Sequence, residues 1–248
     1  MSQIASPQNP RLKAVRRLHA KRERARSGTF VAEGEDLIAA AQQAGRPALE
    51  GYRLAGSGLG SNDFFDVERS ALARASTLGS GTRVLGVYEQ CWVAAVGPLC
   101  VYLHGVGDPG NVGTVLRSAH AFGASCVVLG PGCADPHSPK AVRASMGAIF
   151  AVALARVESV ADLPGERIGL DARASEPLCG PADGGAGAVT LLIGAERDGL
   201  PAEVIAACDR TACIPIRSES LNAAMAATVA LYEMTRGTAA PDRRMPPR

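Results

Sequence analysis

The stretch VYLHGVGDPGNVGTVLRSAHAFGA (residues 101–124) decides the fold. An apolar run opens it, a glycine-rich turn follows, and apolar residues at helical spacing close it, which reads as strand, turn, helix. Gly105, Gly107 and Gly110 spell G-x-G-x-x-G, the dinucleotide-binding spacing. That motif also requires an acidic residue about 20 positions on, at the end of the next strand, to hold ribose hydroxyls. Here the next strand, SCVVLGPG (125–132), ends in Gly130, Pro131 and Gly132, and Asp135 lies further on in a loop. Pro109 also lacks an N–H where a phosphate would want one. The dinucleotide reading fails on context. What the loop does offer is Asn111 at the loop-to-helix junction and Arg117 close to two helical turns beyond it. An Asn and an Arg converging on a strand's carboxyl end can hold a phosphate and a neighbouring hydroxyl. Alone, they read equally well as a helix cap and a solvated charge.

Outward from this stretch, the apolar runs VYL, CVVLG and VTLLIG alternate with helical patterns at 111–123, 138–148 and 220–236. Continuous apolar strands separated by helices predict a parallel sheet covered on both faces. LLIGAERDGLP (191–201) opens from a strand into a tight loop holding Gly194, Glu196 and Gly199. CIPIRSESLNAAMAATVALYEM (213–234) is a short strand, a loop, and a helix of small apolar residues. Three such strand ends can build one pocket lined largely by backbone, suited to an adenine and a ribose.

The first third differs in texture and is expected to form a small α/β domain over residues 1–90, with 91–97 as linker. Asn9 and Pro10 predict a helix start, and Leu12, Val15 and Leu18 recur at helical spacing. Residues 11–26 hold eight cations and one acid, Glu23. Such a face is either simply solvated or an RNA phosphate surface; Arg16, Arg17, Lys21 and Arg22 are the candidate contacts. Residues 56–63 and 180–188 read as loops, and the tail 237–248 as disordered.

Composition narrows the classes. The chain has 248 residues, 47% of them hydrophobic and 20% charged, with a net charge of +2, so total charge argues neither for nor against a nucleic acid. Seven cysteines without C-x-x-C spacing match neither a disulfide framework nor a zinc site, and Cys126 reads as core filler. No metal is expected. With no apolar signal core and no membrane-length run, the expectation is a soluble, reduced, cytoplasmic protein.

Four ordered segments then carry a resemblance. DPGNVGTVLRSAHAFGA, SPKAVRASMGAIF, IGAERDGLP and IPIRSESLNAAMAATVALYE resemble, in order and spacing, the motifs of the SpoU (TrmH-like) branch of the SPOUT RNA methyltransferases. The likeness spans about residues 98–236. SPQNPRLKAVRRL and GTFVAEGEDLIAAA resemble the small substrate-binding domain often fused in front, itself similar to an RNA-binding ribosomal-protein fold. The resemblance implies an α/β protein whose C-terminal parallel-sheet domain binds S-adenosylmethionine in a deep trefoil knot. It implies Gly194, Ile214 and Leu221 against the cofactor, and Asn111, Arg117, Glu196, Ser220 and Asn222 as catalytic residues. The implied reaction methylates a ribose 2′-hydroxyl of RNA, rRNA favoured over tRNA, in a homodimer that also covers the apolar helix 220–236. Base methylation on the same fold, or an RNA-binding factor that has lost turnover, remain open. Two departures stand out: the loop between Ile216 and Ser220 is short and lacks the common glycine, and NAAMAA replaces a valine-serine-valine run. His104 stands where an acid is common and reads as a packed strand-end residue rather than a catalyst.

Overall fold

A computed structural model describes residues 3–79, 81–180, 187–218 and 220–237. The expected disordered tail and most of the 180–188 loop lie outside them. The first unit runs α1 (Pro10–Arg17), α2 (Lys21–Ser27), β1 (Thr29–Glu33), α3 (Glu35–Gln43), β2 (Glu50–Leu54), β3 (Phe65–Val67), α4 (Arg69–Ala75) and β4 (Val84–Glu89). Its four strands form one mixed sheet in the order β1-β4-β2-β3. The Asn9 side chain accepts from the Arg11 N–H, Pro10 fills the first turn, and Leu12 and Val15 are buried, as the pattern predicts. The basic segment is not one helix. The chain turns between α1 and α2, and the carbonyls of Leu18 and His19 both accept from the Arg24 guanidinium, each at 2.8 Å.

The second unit continues with β5 (Leu99–Leu103), α5 (Pro109–Ala121), β6 (Cys126–Leu129), α6 (Pro139–Ala144), α7 (Ala148–Ala151) and β7 (Ala153–Arg156). After a 3₁₀ turn at Val160–Asp162 come β8 (Glu166–Leu170), β9 (Val189–Ile193), α8 (Ala202–Ala206), β10 (Arg210–Ala212) and α9 (Ala223–Thr235). All six strands are parallel, in the order β10-β8-β9-β5-β6-β7. The helical pattern at 138–148 is interrupted: Met146 at φ 48° and Gly147 at φ 93° separate α6 from α7.

Strand alternation divides the core. Cys100, Tyr102, Cys126, Val128 and Leu192 face α8, whereas Val101, Leu103, Val127, Leu191 and Ile193 face α5 and α9. Cys126 is fully buried, as its apolar run predicts. Phe30, Ala32 and Tyr88 of the first sheet join that second layer, with Phe150 packed 5.9 Å from Phe30 and 4.8 Å from Tyr88. The opposite side of the first sheet packs Val31, Leu85 and Val87 against α1 and α4. The two sheets therefore share one continuous apolar core, not only a linker.

Because β6 and β7 extend to one side of β5 while β9 and β8 extend to the other, the strand order reverses between β5 and β9. Crevices at such a switch point, outside the carboxyl ends of the strands, are where open parallel sheets bind ligands. The loops after β5 and β9 flank it, with His104 N–H donating to the Ile193 carbonyl at 2.9 Å. The loop after β8 closes the far side. Pro177 bridges to Cys213, and a side chain at Gly180 would collide with the Glu233 carbonyl of α9, its Cβ only 2.4 Å away.

Candidate active site

Three loops meet at the switch point. The cap of α5 is Asp108: its carboxylate accepts from the Asn111 N–H at 3.0 Å. Lys140 of α6 donates to the same carboxylate at 2.6 Å and holds its pKa below the usual range. Asn111 is thus not the cap, and its amide is left to reach across the crevice. Its Nδ2 donates to Glu196 Oε1, from the loop after β9. Its Oδ1 accepts from Asn222 Nδ2 at 3.1 Å, while Asn222 Oδ1 caps α9 by accepting from Ala224 and Met225 N–H groups at 2.9 and 3.3 Å. Asn111, Glu196 and Asn222, one from each motif, form a single hydrogen-bonded chain. Because Glu196 takes the amide N–H, the Asn111 carbonyl is turned toward Asn222.

A cavity of about 630 Å³ opens at the ends of β8, β9 and β10. Gly194, Ile214, Leu221, Ser220 and Glu196 line it together, with Leu170 and Ile193 as further apolar wall. Gly194 is there by necessity. A Cβ on it would lie 2.1 Å from the Gly199 carbonyl carbon and 2.4 Å from the Leu200 nitrogen, far inside any allowed approach. The loop doubles back on itself, Ala195 and Gly199 exchanging backbone hydrogen bonds at 3.0 and 3.2 Å, and so brings bare backbone to the cavity. A cavity of this size with apolar walls and peptide edges fits an adenosine-bearing ligand, and the charged Asp171 and Arg173 at its border suit a ligand's charged end. A second cavity, of about 570 Å³, lies between α5 and α9, lined by Asn111, Thr114, Asn222, Met225 and Val229. Leu221 borders both cavities.

Arg117 is not brought into this cluster. It sits six residues along α5, about 9 Å by helical rise, exposed and without a hydrogen bond or ion pair among the described residues. Ser220 lines the first cavity, and among the described residues its carbonyl accepts from Ser218 Oγ at 3.3 Å. His104 is a packing residue, its Nδ1 2.9 Å from the Tyr102 hydroxyl. Asp108 and Lys140 were missed from sequence, although an Asp before Pro-Gly at a helix start is a readable cap signal. Among the described residues no cluster of His, Cys, Asp or Glu could hold a metal ion, and no helix is long and apolar enough to cross a membrane.

The basic segment is less free than its charge count suggests. Arg24 is 3% exposed and pinned to Asp135 Oδ2 through Nε and Nη2, at 2.9 and 2.7 Å. Arg11 pairs with Glu50 and Arg26 with Glu23. Arg16 is half-buried and donates to the Pro7 carbonyl at 2.9 Å. Lys13, Arg17, Lys21 and Arg22 are exposed and have no ion pair among the described residues.

Comparison with known proteins identifies relatives of both parts of the chain. Residues 98–232 match the model of the SpoU rRNA methylase family, and residues 9–86 that of the MRM3-like substrate-binding domain. The 23S rRNA (guanosine(2553)-2′-O)-methyltransferase RlmP of Bacillus subtilis is 29% identical, over 94% of this chain and 99% of its own length. The AdoMet-bound rRNA methyltransferase of Sinorhizobium meliloti superposes with a TM-score of 0.84 at 29% identity, over 96% and 99% of the two chains. The SpoU methyltransferase AviRb of Streptomyces viridochromogenes, in complex with AdoMet, gives 0.79 at 27%, over 92% and 98%. A two-sheet α/β chain matched by this family model over more than half its length, the chain belongs to the SpoU rRNA methylase family.

Proposed function

We propose that the protein transfers a methyl group from S-adenosylmethionine to a ribose 2′-hydroxyl of ribosomal RNA. The observation that carries this reading is the Asn111–Glu196–Asn222 chain set between the Gly194 cavity and the α5–α9 cavity. The names of the full-length relatives support rRNA over tRNA. Bound S-adenosylmethionine supplies a methyl carbon already activated by its sulfonium. What the chain must add is position, exclusion of water and help for the departing hydroxyl proton. Gly194, Ile214 and Leu221 hold the adenosine by backbone and apolar contact. Glu196 and Asn222 fix the Asn111 amide, so that its polar edge meets the ribose in one orientation. Ser220 supplies a hydroxyl at the cavity rim. Arg117 clamps the phosphate beside the target and stabilises the developing alkoxide; a guanidinium does not serve as the base.

Residues 1–90 bind the substrate RNA in this reading, with Arg16, Arg17, Lys21 and Arg22 toward phosphates, and 98–236 carry the chemistry. The trefoil knot belongs to it too, supported by the loop after β8 packing across α9. So does a homodimer: Met225, Val229 and Tyr232 form a stripe on α9 that is 62%, 41% and 54% exposed beside the second cavity. Light scattering at micromolar concentration should return the dimer mass; a clean monomer refutes it. The cytoplasmic site of action follows from the substrate.

Mapping ribose methylation in all RNA of a deletion strain and its complemented control tests the function. One 2′-O-methyl group should vanish and return; a lost base methyl, or no loss, rejects the reading. Complementation with Arg117→Lys keeps the charge but loses the planar fork and should slow methylation on the order of a hundredfold.

A further inference from the structure

Residue 92, between the two sheets, is the chain's one tryptophan. Trp92 is half-buried, its ring edge-on to the buried His137 imidazole at 5.3 Å and its Nε1 donating to Gln90 Oε1 at 3.4 Å. Over its face lies the Arg156 guanidinium, 4.0 Å from the ring centroid. Arg156 ends β7 in register with Leu129, so it stands at the same carboxyl edge of the sheet as Asn111. It is exposed, and beyond the indole it has no hydrogen bond or ion pair among the described residues. Arg46, from the loop after α3, is half-buried; it donates to the Glu89 carbonyl at 3.1 Å and the Cys91 Sγ at 2.8 Å and has no carboxylate partner among the described residues. Burial pushes the His137 imidazole down, against the pull of the Asp135 carboxylate, and the charges of Arg156, Arg24 and Arg46 add to the lowering, to about 4. Of the three, only Arg24 has a carboxylate partner among the described residues, Asp135.

One uncompensated cation thus lies over the aromatic ring and a second is held at Cys91, the residue before Trp92, where the two sheets join. An exposed guanidinium held over an indole is preorganised and keeps a face open to solvent. Such a face is what an unpaired base stacks on, and a nearby free cation is what its phosphate seeks. We propose that the Trp92–Arg156 stack is a docking platform for one unpaired nucleotide of the RNA substrate, its base on the outer face of Arg156 and its phosphate toward Arg46. The platform rests on the reading of the protein as an RNA-modifying enzyme, and adds that the RNA is gripped as a single strand at the domain junction.

Since Trp92 is the sole tryptophan, its fluorescence reports on the platform directly. A short single-stranded oligoadenylate should bind and change Trp92 emission, whereas a blunt RNA duplex of equal length should leave the emission unchanged. Arg156→Ala should weaken oligoadenylate binding about tenfold, the scale of one base stack. Arg156→Lys should keep the salt dependence of binding yet lose the emission change and most of the affinity. Calorimetry with S-adenosylmethionine checks that both variants remain folded. The platform is overturned if oligoadenylate fails to bind, binds without altering Trp92 emission, or binds the Lys variant as tightly as the wild type. A Trp92 response in a protein that methylates no RNA would sink the enzymatic reading and leave the platform standing. Methylation without a Trp92 response would do the reverse.

Discussion

The Gly194 cavity and the basic helices α1 and α2 are both recognition surfaces in this reading, and they rest on opposite physics. The cavity depends on where backbone passes: a loop folded so tightly that one added carbon at Gly194 has no room. The basic segment depends on how many charges stay free, and half of its eight cations are already engaged by Glu50, Pro7, Asp135 and Glu23. Loss in the first should be abrupt and loss in the second graded. Within the segment, Arg24 is the exception that sharpens the contrast, because it sits among exposed cations but serves the interior.

Arg24→Met should have the largest effect, on stability rather than on binding. It leaves the Asp135 carboxylate buried without its cation, at a cost of about 3–5 kcal/mol in denaturant unfolding. The folded fraction should bind RNA with an unchanged salt dependence; unchanged stability would make Arg24 a spare surface charge after all. Gly194→Ala comes next. It should weaken S-adenosylmethionine binding on the order of a hundredfold, about 3 kcal/mol, by calorimetry, with RNA binding intact. Affinity within a few-fold of wild type would show that the loop yields and that the abrupt half of the contrast is wrong. Smallest per residue are Arg17→Ala, Lys21→Ala and Arg22→Ala. Each should lower the slope of log affinity against log salt by about one and leave cofactor affinity alone. Arg16→Ala should do less, since its guanidinium is committed to Pro7.

The parts of this molecule that sequence reveals are those written locally. β5, β6 and β9 are unbroken apolar runs, and Asn9-Pro10 caps its helix with its own neighbours. The strands beyond those three were less legible. β8 begins Glu166-Arg167, and β7 is the short run Ala153–Arg156 ending on an arginine, so neither reads as a buried strand. The first sheet hides its second half, β2, β3 and α4, behind Gly-rich loops and brief apolar runs. In the site, the resemblance of the motifs brought Asn111, Glu196 and Asn222 into view, but no motif reveals that they bond to one another. The same holds at the junction. Glu33 accepts from both Ser76 and Thr77, and Arg143 reaches Thr77 from α6, pairings of residues 43 to 66 positions apart. Such partners are chosen by the folded chain, and periodicity does not record them.

Leu221 divides the two cavities, and a partition wall has consequences for both rooms. An occupant that shifts it on one side reshapes the space offered on the other. The affinities of the two occupants are then linked, by the same factor in either direction. On this account a filled cofactor cavity sets the width of the α5–α9 groove. The coupling between the two sites would then run through a single leucine side chain.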